Sequence, residues 1–163
     1  MTSTLLLMRH ADAEGWSDEG DKGRRLTGQG RQEAAAAALE LRQLGVQHVL
    51  CSSARRTRET VDCLDLGVPV EYMDALYNCS TETMLQRISE VGDEVQVLLV
   101  VAHAPAIPSL SAELSYASAP QQADELQCVF PTASYSHFTL EAGWQDLAED
   151  ASIRLEGVRR VGL

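Results

Sequence analysis

Short apolar runs alternate along this chain with longer amphipathic stretches, and the alternation predicts an architecture. Leu5–Met8 is a continuous apolar run of strand length, the pattern of a strand buried on both faces. HVLCSS (48–53) and VPVEYM (68–73) are further short runs. VQVLLVVAH (95–103) is the strongest, apolar on both faces, as a central parallel strand should be. Helical patterns lie between them. Thr27 stands at an N-cap position, Ala34–Ala38 has high helix propensity, and Gly45 sits where a left-handed C-terminal residue belongs. The same small residues let a helix pack close to a sheet. A second helix is predicted over Ala54–Leu64. A third begins near Thr81, with Met84, Leu85, Ile88 and Val91 on one stripe and Gly92 closing it. A fourth starts at Pro105, a residue favoured in a first turn. ASYSHFTLE (133–141) alternates as another strand, and Trp144–Leu147 and Ile153–Leu155 read as short strands. Strand and helix thus alternate four times and end on a strand. This order predicts an α/β fold: a single three-layer domain over residues 1–163, with a largely parallel central sheet and helices on both faces.

Composition narrows the partners. At 163 residues and 45% hydrophobic, the chain can build one ordinary core. A net charge of −11 makes nucleic acid and anionic membrane poor partners, because both repel it. Positive charge is instead gathered locally. Lys22 is the only lysine beside 12 arginines, and eight of the 13 basic residues fall in three places: Arg9; Lys22, Arg24, Arg25 and Arg31; Arg55, Arg56 and Arg58. Arginine is the side chain suited to forked recognition of phosphate or carboxylate. The four cysteines form no C-x-x-C pair, so neither a zinc ribbon nor a thioredoxin-type site is indicated, and they read as reduced, mostly buried residues. The amino terminus lacks a basic leader pattern, and the longest apolar run, Val97–Ala102, is far too short for a bilayer. A soluble cytoplasmic protein, by default a monomer, is the expectation.

In sheets of this kind ligands bind at the carboxyl ends of the strands. The first strand ends in Arg9-His10, the second in Ser52-Ser53 with Arg56 in the following helix's first turn, and the fourth in Ala102-His103. Two imidazoles and two guanidiniums therefore meet at one edge. A neutral imidazole is a competent nucleophile toward phosphorus, and covalent catalysis divides a hard displacement into two easier ones. Fixed arginines can hold the phosphoryl oxygens and follow their charge through the transition state. An arginine in a first helical turn opposes the macrodipole, and a bound anion there would relieve it. No cofactor or metal is needed. A cation site built from His10, Asp12, His103 and cysteine would have to sit between Arg9 and Arg56. His48 and His137 have no comparable neighbours.

At these residues the chain resembles a known family. LLLMRHADAE is similar to the Arg-His-Gly/Ala signature of the histidine phosphatase superfamily, also called phosphoglycerate-mutase-like. CSSARRTRET resembles its Ser-x-x-x-Arg-x-x-x-Thr segment, with Ser52, Arg56 and Thr60 on the pattern, and VVAHAPAI its second histidine segment. RRLTGQGRQEA resembles the Arg-x-Leu-Thr-x-x-Gly element of small SixA-like phosphohistidine phosphatases, with Arg24, Leu26, Thr27 and Gly30 on it. The resemblance implies a phosphoglycerate-mutase-like fold and a metal-independent hydrolase acting through phospho-His10. It implies that Arg9 and Arg56 bind the phosphoryl oxygens and that His103 stabilises the transferring group. Arg24 is implied as an auxiliary anion contact and Ser52 as part of the substrate-binding set. Larger members carry a carboxylate general acid after the third strand. EYMDALYNCSTE holds none convincingly on the pattern, with Asp74 and Glu82 the nearest candidates. That gap fits phosphohistidine, whose imidazole leaves readily, better than an alkyl ester, which gains about 10²–10⁴-fold from a general acid. The short Asp74–Ser80 connection leaves little material for a lid and suits a phosphorylated protein as substrate. The alternatives are a small-molecule phosphomonoesterase and a low-activity phosphoprotein-binding module.

Overall fold

The computed structural model describes residues 2–150 and 152–160; positions 1, 151 and 161–163 of the expected 1–163 span lie outside the described residues. One six-stranded sheet runs through the molecule in the order β3-β2-β4-β1-β5-β6. The strands are β1 (Ser3–Arg9), β2 (His48–Ser52), β3 (Val70–Met73), β4 (Val97–Ala102), β5 (Tyr135–Leu140) and β6 (Arg154–Arg159). The first four run parallel, while β5 is antiparallel to both β1 and β6. The helices are α1 (Gly28–Leu44), α2 (Arg55–Leu64), α3 (Thr81–Ser89), α4 (Ala106–Ser115) and α5 (Pro120–Cys128).

Strand alternation sorts the apolar residues into two cores. Leu5, Leu7, Leu50, Leu98, Val100 and Phe138 face α3, α4 and α5, where they meet Met84, Ile88, Ile107, Leu110 and Leu126. Leu6, Met8, Val49, Cys51, Leu99 and Val101 face α1 and α2, where they meet Ala34, Ala37, Ala38, Leu41, Val61 and Leu64. The Ala-rich face of α1 is thus what seats it against the sheet. Thr27 caps α1 by accepting from the Gly30 amide, and Gly45 closes it with φ 77°.

The end of the chain departs from its hydrophobic pattern. Trp144–Leu147 is not a strand but part of a 3-10 helix, Trp144–Glu149. Three residues per turn put Trp144 and Leu147 on one side, where both are buried in the first core. The predicted Ile153–Leu155 strand is observed as β6, shifted to Arg154–Arg159. Helix α5 has little signal because it buries only Ala123 and Leu126. The cysteines also need correction. All four are free, but only Cys51 is buried; Cys63 and Cys79 are half-buried and Cys128 is exposed at the end of α5. No helix among the described residues is long and apolar enough to cross a membrane.

Candidate active site

Sheet register brings the site together. Arg9 pairs with Ala102 across β1 and β4, so His10 and His103 are the next residues on adjacent strands. Their rings lie 5.4 Å apart, centroid to centroid. Cys51 pairs with Val101, which puts Ser52 beside the same strand end. The backbone at Arg9-His10 is gripped from both sides: the His10 amide donates to Ala102, and the Ala133 amide donates to the carbonyls of Arg9 and His10.

The loop after His10 is held by the residues of two sequence motifs. The Ala11 amide donates to Thr60 Oγ1 at 3.0 Å. The Thr27 amide donates to the Asp12 carbonyl, and Thr27 Oγ1 donates to Asp12 Oδ2 at 2.7 Å. The Asp12 amide reaches Glu33, and the Leu26 amide reaches Glu59. Gly30 is obligatory for a steric reason: a Cβ there would stand 2.0 Å from the Asp12 carbonyl oxygen. Thr27, Gly30 and Thr60 are therefore scaffold for the histidine loop.

Both histidines are buried, at 7% and 5% exposure. His10 Nδ1 lies 2.7 Å from the Ala11 carbonyl, which can only accept, so Nδ1 carries the proton and Nε2 keeps its lone pair. Burial lowers the His10 pKa to about 4; the Ala11 bond pulls the other way, and Arg56, Arg9 and Arg24 add to the depression. Burial lowers that of His103 to about 3, with further depression from Arg56 and His10. Both rings are thus neutral at physiological pH.

Arg56, 5% exposed, donates from Nη1 to the Asp21 carbonyl at 2.8 Å and from Nη2 to Asp21 Oδ2 at 3.1 Å. Arg9 donates from Nη1 to the Phe130 carbonyl at 2.9 Å, and burial lowers its pKa. Three buried atoms of this group have no partner among the described residues: Arg9 Nε, Arg56 Nε and His103 Nδ1. Arg24 stands at the rim, donating from Nε to the Glu14 carbonyl and from Nη1 to Asp21 Oδ1 at 2.9 Å. Ser52 is fully buried, its Oγ 2.8 Å from His103 Nε2. Arg55, the neighbour of Arg56, lies on the surface and pairs with Glu59 at 3.0 Å.

Two site residues carry no signal in the sequence motifs. Asp21, in a 3-10 turn (Asp21–Gly23), accepts from Arg24, Arg56 and Tyr77, the last at 2.6 Å. Those bonds, the one from Tyr77 foremost, hold its carboxyl far below the usual carboxylate range. Tyr77, from the connection after β3, also sets its ring against His103 at 5.7 Å. Its only signal in the sequence is its position in the segment after the third strand. Of the two carboxylates considered there, Asp74 is exposed and bonded to Lys22 and Ser53, which keep it ionised. Glu82 lies in the exposed first turn of α3. Among the described residues no three His, Cys, Asp or Glu side chains are grouped to hold a metal ion.

A largely parallel sheet that carries two neutral imidazoles, the buried Arg56 and the part-buried Arg9 at the carboxyl ends of its strands has the chemistry to hold an anion. The comparisons place it in a family. The pattern of the histidine phosphatase superfamily (branch 1) matches residues 5–95, and the chain belongs to that superfamily. An uncharacterised protein of Mycobacterium leprae is 33% identical over 147 residues, covering 86% of this chain and 91% of that one. A structure from Nakamurella multipartitia, designated a candidate phosphohistidine phosphatase SixA, is 32% identical. It superposes with a TM-score of 0.90 over 100% of this chain and 98% of that chain. A candidate SixA from Agrobacterium tumefaciens is 27% identical, with a TM-score of 0.76 over 96% and 97% of the two chains. Within the superfamily the chain is SixA-like.

Proposed function

We propose that the protein is a phosphohistidine phosphatase that works without a metal through a phosphohistidine intermediate on His10. The observation that carries this reading is a neutral His10 with its Nδ1 proton committed to Ala11 and its Nε2 lone pair free, beside the buried Arg56 and the part-buried Arg9. Nε2 attacks phosphorus, the phosphorus–nitrogen bond of the substrate breaks, and the departing imidazole takes its proton from solvent. Water then attacks phospho-His10, releasing inorganic phosphate and restoring the imidazole. Arg9 and Arg56 hold the phosphoryl oxygens, and their charge counters the negative charge of the transferring group. Arg24 adds positive charge at the rim. His103 donates to a third region of the same group from Nδ1.

The carboxylates support the choice of substrate. Asp21 and Asp74 are both held ionised by bonded cations and hydroxyls, so neither offers a proton to a leaving group. A good leaving group suits such a site. The phosphohistidine phosphatase designation of the two structural relatives supports the same substrate class, phosphohistidine. The test is turnover of a phosphohistidine peptide beside p-nitrophenyl phosphate and glycerol phosphate, with EDTA present. Phosphohistidine and aryl phosphate should be hydrolysed in EDTA, with acid-labile, base-stable labelling of His10. Preferential hydrolysis of glycerol phosphate would make the protein a small-molecule phosphomonoesterase.

A further inference from the structure

We infer that Ser52 is a positioning residue: its hydroxyl donates to His103 Nε2 and so presents His103 Nδ1–H as the donor toward the phosphoryl group. The inference rests on the phosphatase reading for what the donor serves, but the proton's position can be measured without any substrate.

Ser52 is 0% exposed, so no solvent completes its hydrogen bonding. Its Oγ accepts from the Ala54 amide at 3.4 Å and lies 2.8 Å from His103 Nε2. A hydroxyl has one proton to give. If Nε2 carried the imidazole proton, Oγ would accept from both neighbours and its own hydrogen would point at no acceptor in a closed interior. Donation from Oγ to Nε2 satisfies the hydroxyl and the ring nitrogen together. It also fixes the tautomer, because an imidazole that accepts at Nε2 while neutral must be protonated at Nδ1.

His103 Nδ1 is buried and has no partner among the described residues. As a bare lone pair beside His10 and Arg56 it would repel a phosphoryl oxygen; as N–H it donates to one. Burial keeps the ring neutral down to a pKa of about 3, so the choice between tautomers matters across the working range. The serine is itself held firmly. Thr57, also fully buried, donates from Oγ1 to the Ser52 carbonyl at 2.7 Å, and register places β2 beside β4 at this point. The two histidines are thus set in complementary states by different means. A backbone carbonyl leaves His10 with a free Nε2 lone pair, and a buried serine leaves His103 with a free Nδ1 proton.

The test is a two-bond proton–nitrogen correlation spectrum of the full-length, ¹⁵N-labelled protein near pH 7, with His103 identified by the loss of its signals in His103→Gln. The wild-type protein should show His103 protonated at Nδ1. Ser52→Ala should shift the ring away from that tautomer and lower kcat on p-nitrophenyl phosphate by about tenfold or more, with a smaller change in KM. Ser52→Thr, which keeps a hydroxyl, should retain the wild-type tautomer. A wild-type spectrum with the proton on Nε2 overturns the inference, as does an unchanged Nδ1–H tautomer in Ser52→Ala. If the variants do not fold, the wild-type spectrum still decides. A protein that shows the Nδ1–H tautomer but hydrolyses no phosphoryl substrate would defeat the phosphatase reading and leave the Ser52–His103 arrangement standing.

Discussion

The two ends of the parallel strands are built on opposite terms. At the amino ends the polar groups are paired. Gln47 Oε1 accepts from the amides of Gln96 and Val97 at 2.6 and 3.2 Å, and the indole of Trp144, 2% exposed, donates to the Val95 carbonyl at 2.8 Å. At the carboxyl ends the same sheet buries Arg56 and two imidazoles, partly buries Arg9, and leaves Arg9 Nε, Arg56 Nε and His103 Nδ1 without partners among the described residues. Desolvated cations and unpaired donors cost stability. One end therefore holds the fold, and the other spends part of that stability on a site prepared for an anion. Substitutions at the two ends should separate stability from activity.

The largest effect should come from His10→Ala. Turnover and covalent labelling should fall by at least about 10³-fold, because the nucleophile is lost. The melting temperature should hold or rise, since a buried polar ring is removed. Activity near the wild-type level would show that another residue attacks. Trp144→Ala should do the reverse. It should cost about 3–5 kcal/mol in urea denaturation through the cavity it opens, with activity per folded molecule unchanged. A loss of activity without a loss of stability there would dissolve the contrast between the ends.

Arg56→Ala should lower kcat/KM by about 10²–10³-fold, the range for removing a preorganised donor. Arg55→Ala should do much less, because Arg55 is a surface residue paired with Glu59. Arg56→Lys should also be poor, since an ammonium cannot form the planar fork that grips Asp21 and a phosphoryl oxygen together. Equal losses at Arg55 and Arg56 would remove Arg56 from the clamp.

Acid should weaken the carboxyl end selectively. His10 and His103 titrate near 4 and 3 in the folded chain against an ordinary 6.5, so below 6.5 the unfolded chain binds more protons. Their contribution to stability is complete above pH 6.5 and is lost as pH falls through the folded pKa values. Urea midpoints measured from pH 7 to 4 should decline, and His10→Ala should flatten that decline. A wild-type slope in the variant would mean that the His10 ring is not desolvated. The smallest effect is expected from Asp74→Asn and Glu82→Gln, each leaving phosphohistidine turnover within about tenfold of wild type. A collapse of alkyl phosphate hydrolysis in one of them would identify a general acid.

Much of this was legible in the chain because it is carried by local pattern. Apolar runs of strand length and caps such as Thr27 and Gly45 specify elements through their own backbone and nearest neighbours. The motif spacing marks Arg9-His10, Ser52, Arg56 and His103 because each sits at a strand end or in a first helical turn, where position along the chain implies position in the fold. The Asp21–Arg56 fork, the Tyr77–Asp21 bond and the Ser52–His103 bond were not legible, since each joins residues 35 or more positions apart. The antiparallel direction of β5, the 3-10 turn at Trp144 and helix α5 were hidden for a related reason. Their hydrophobic signal is short, and burial against an already formed core decides their conformation. Sequence by itself determined which side chains stand at the carboxyl edge of the sheet. Tertiary structure decided their protonation and their partners, because desolvation and hydrogen bonding depend on what the rest of the chain packs around them.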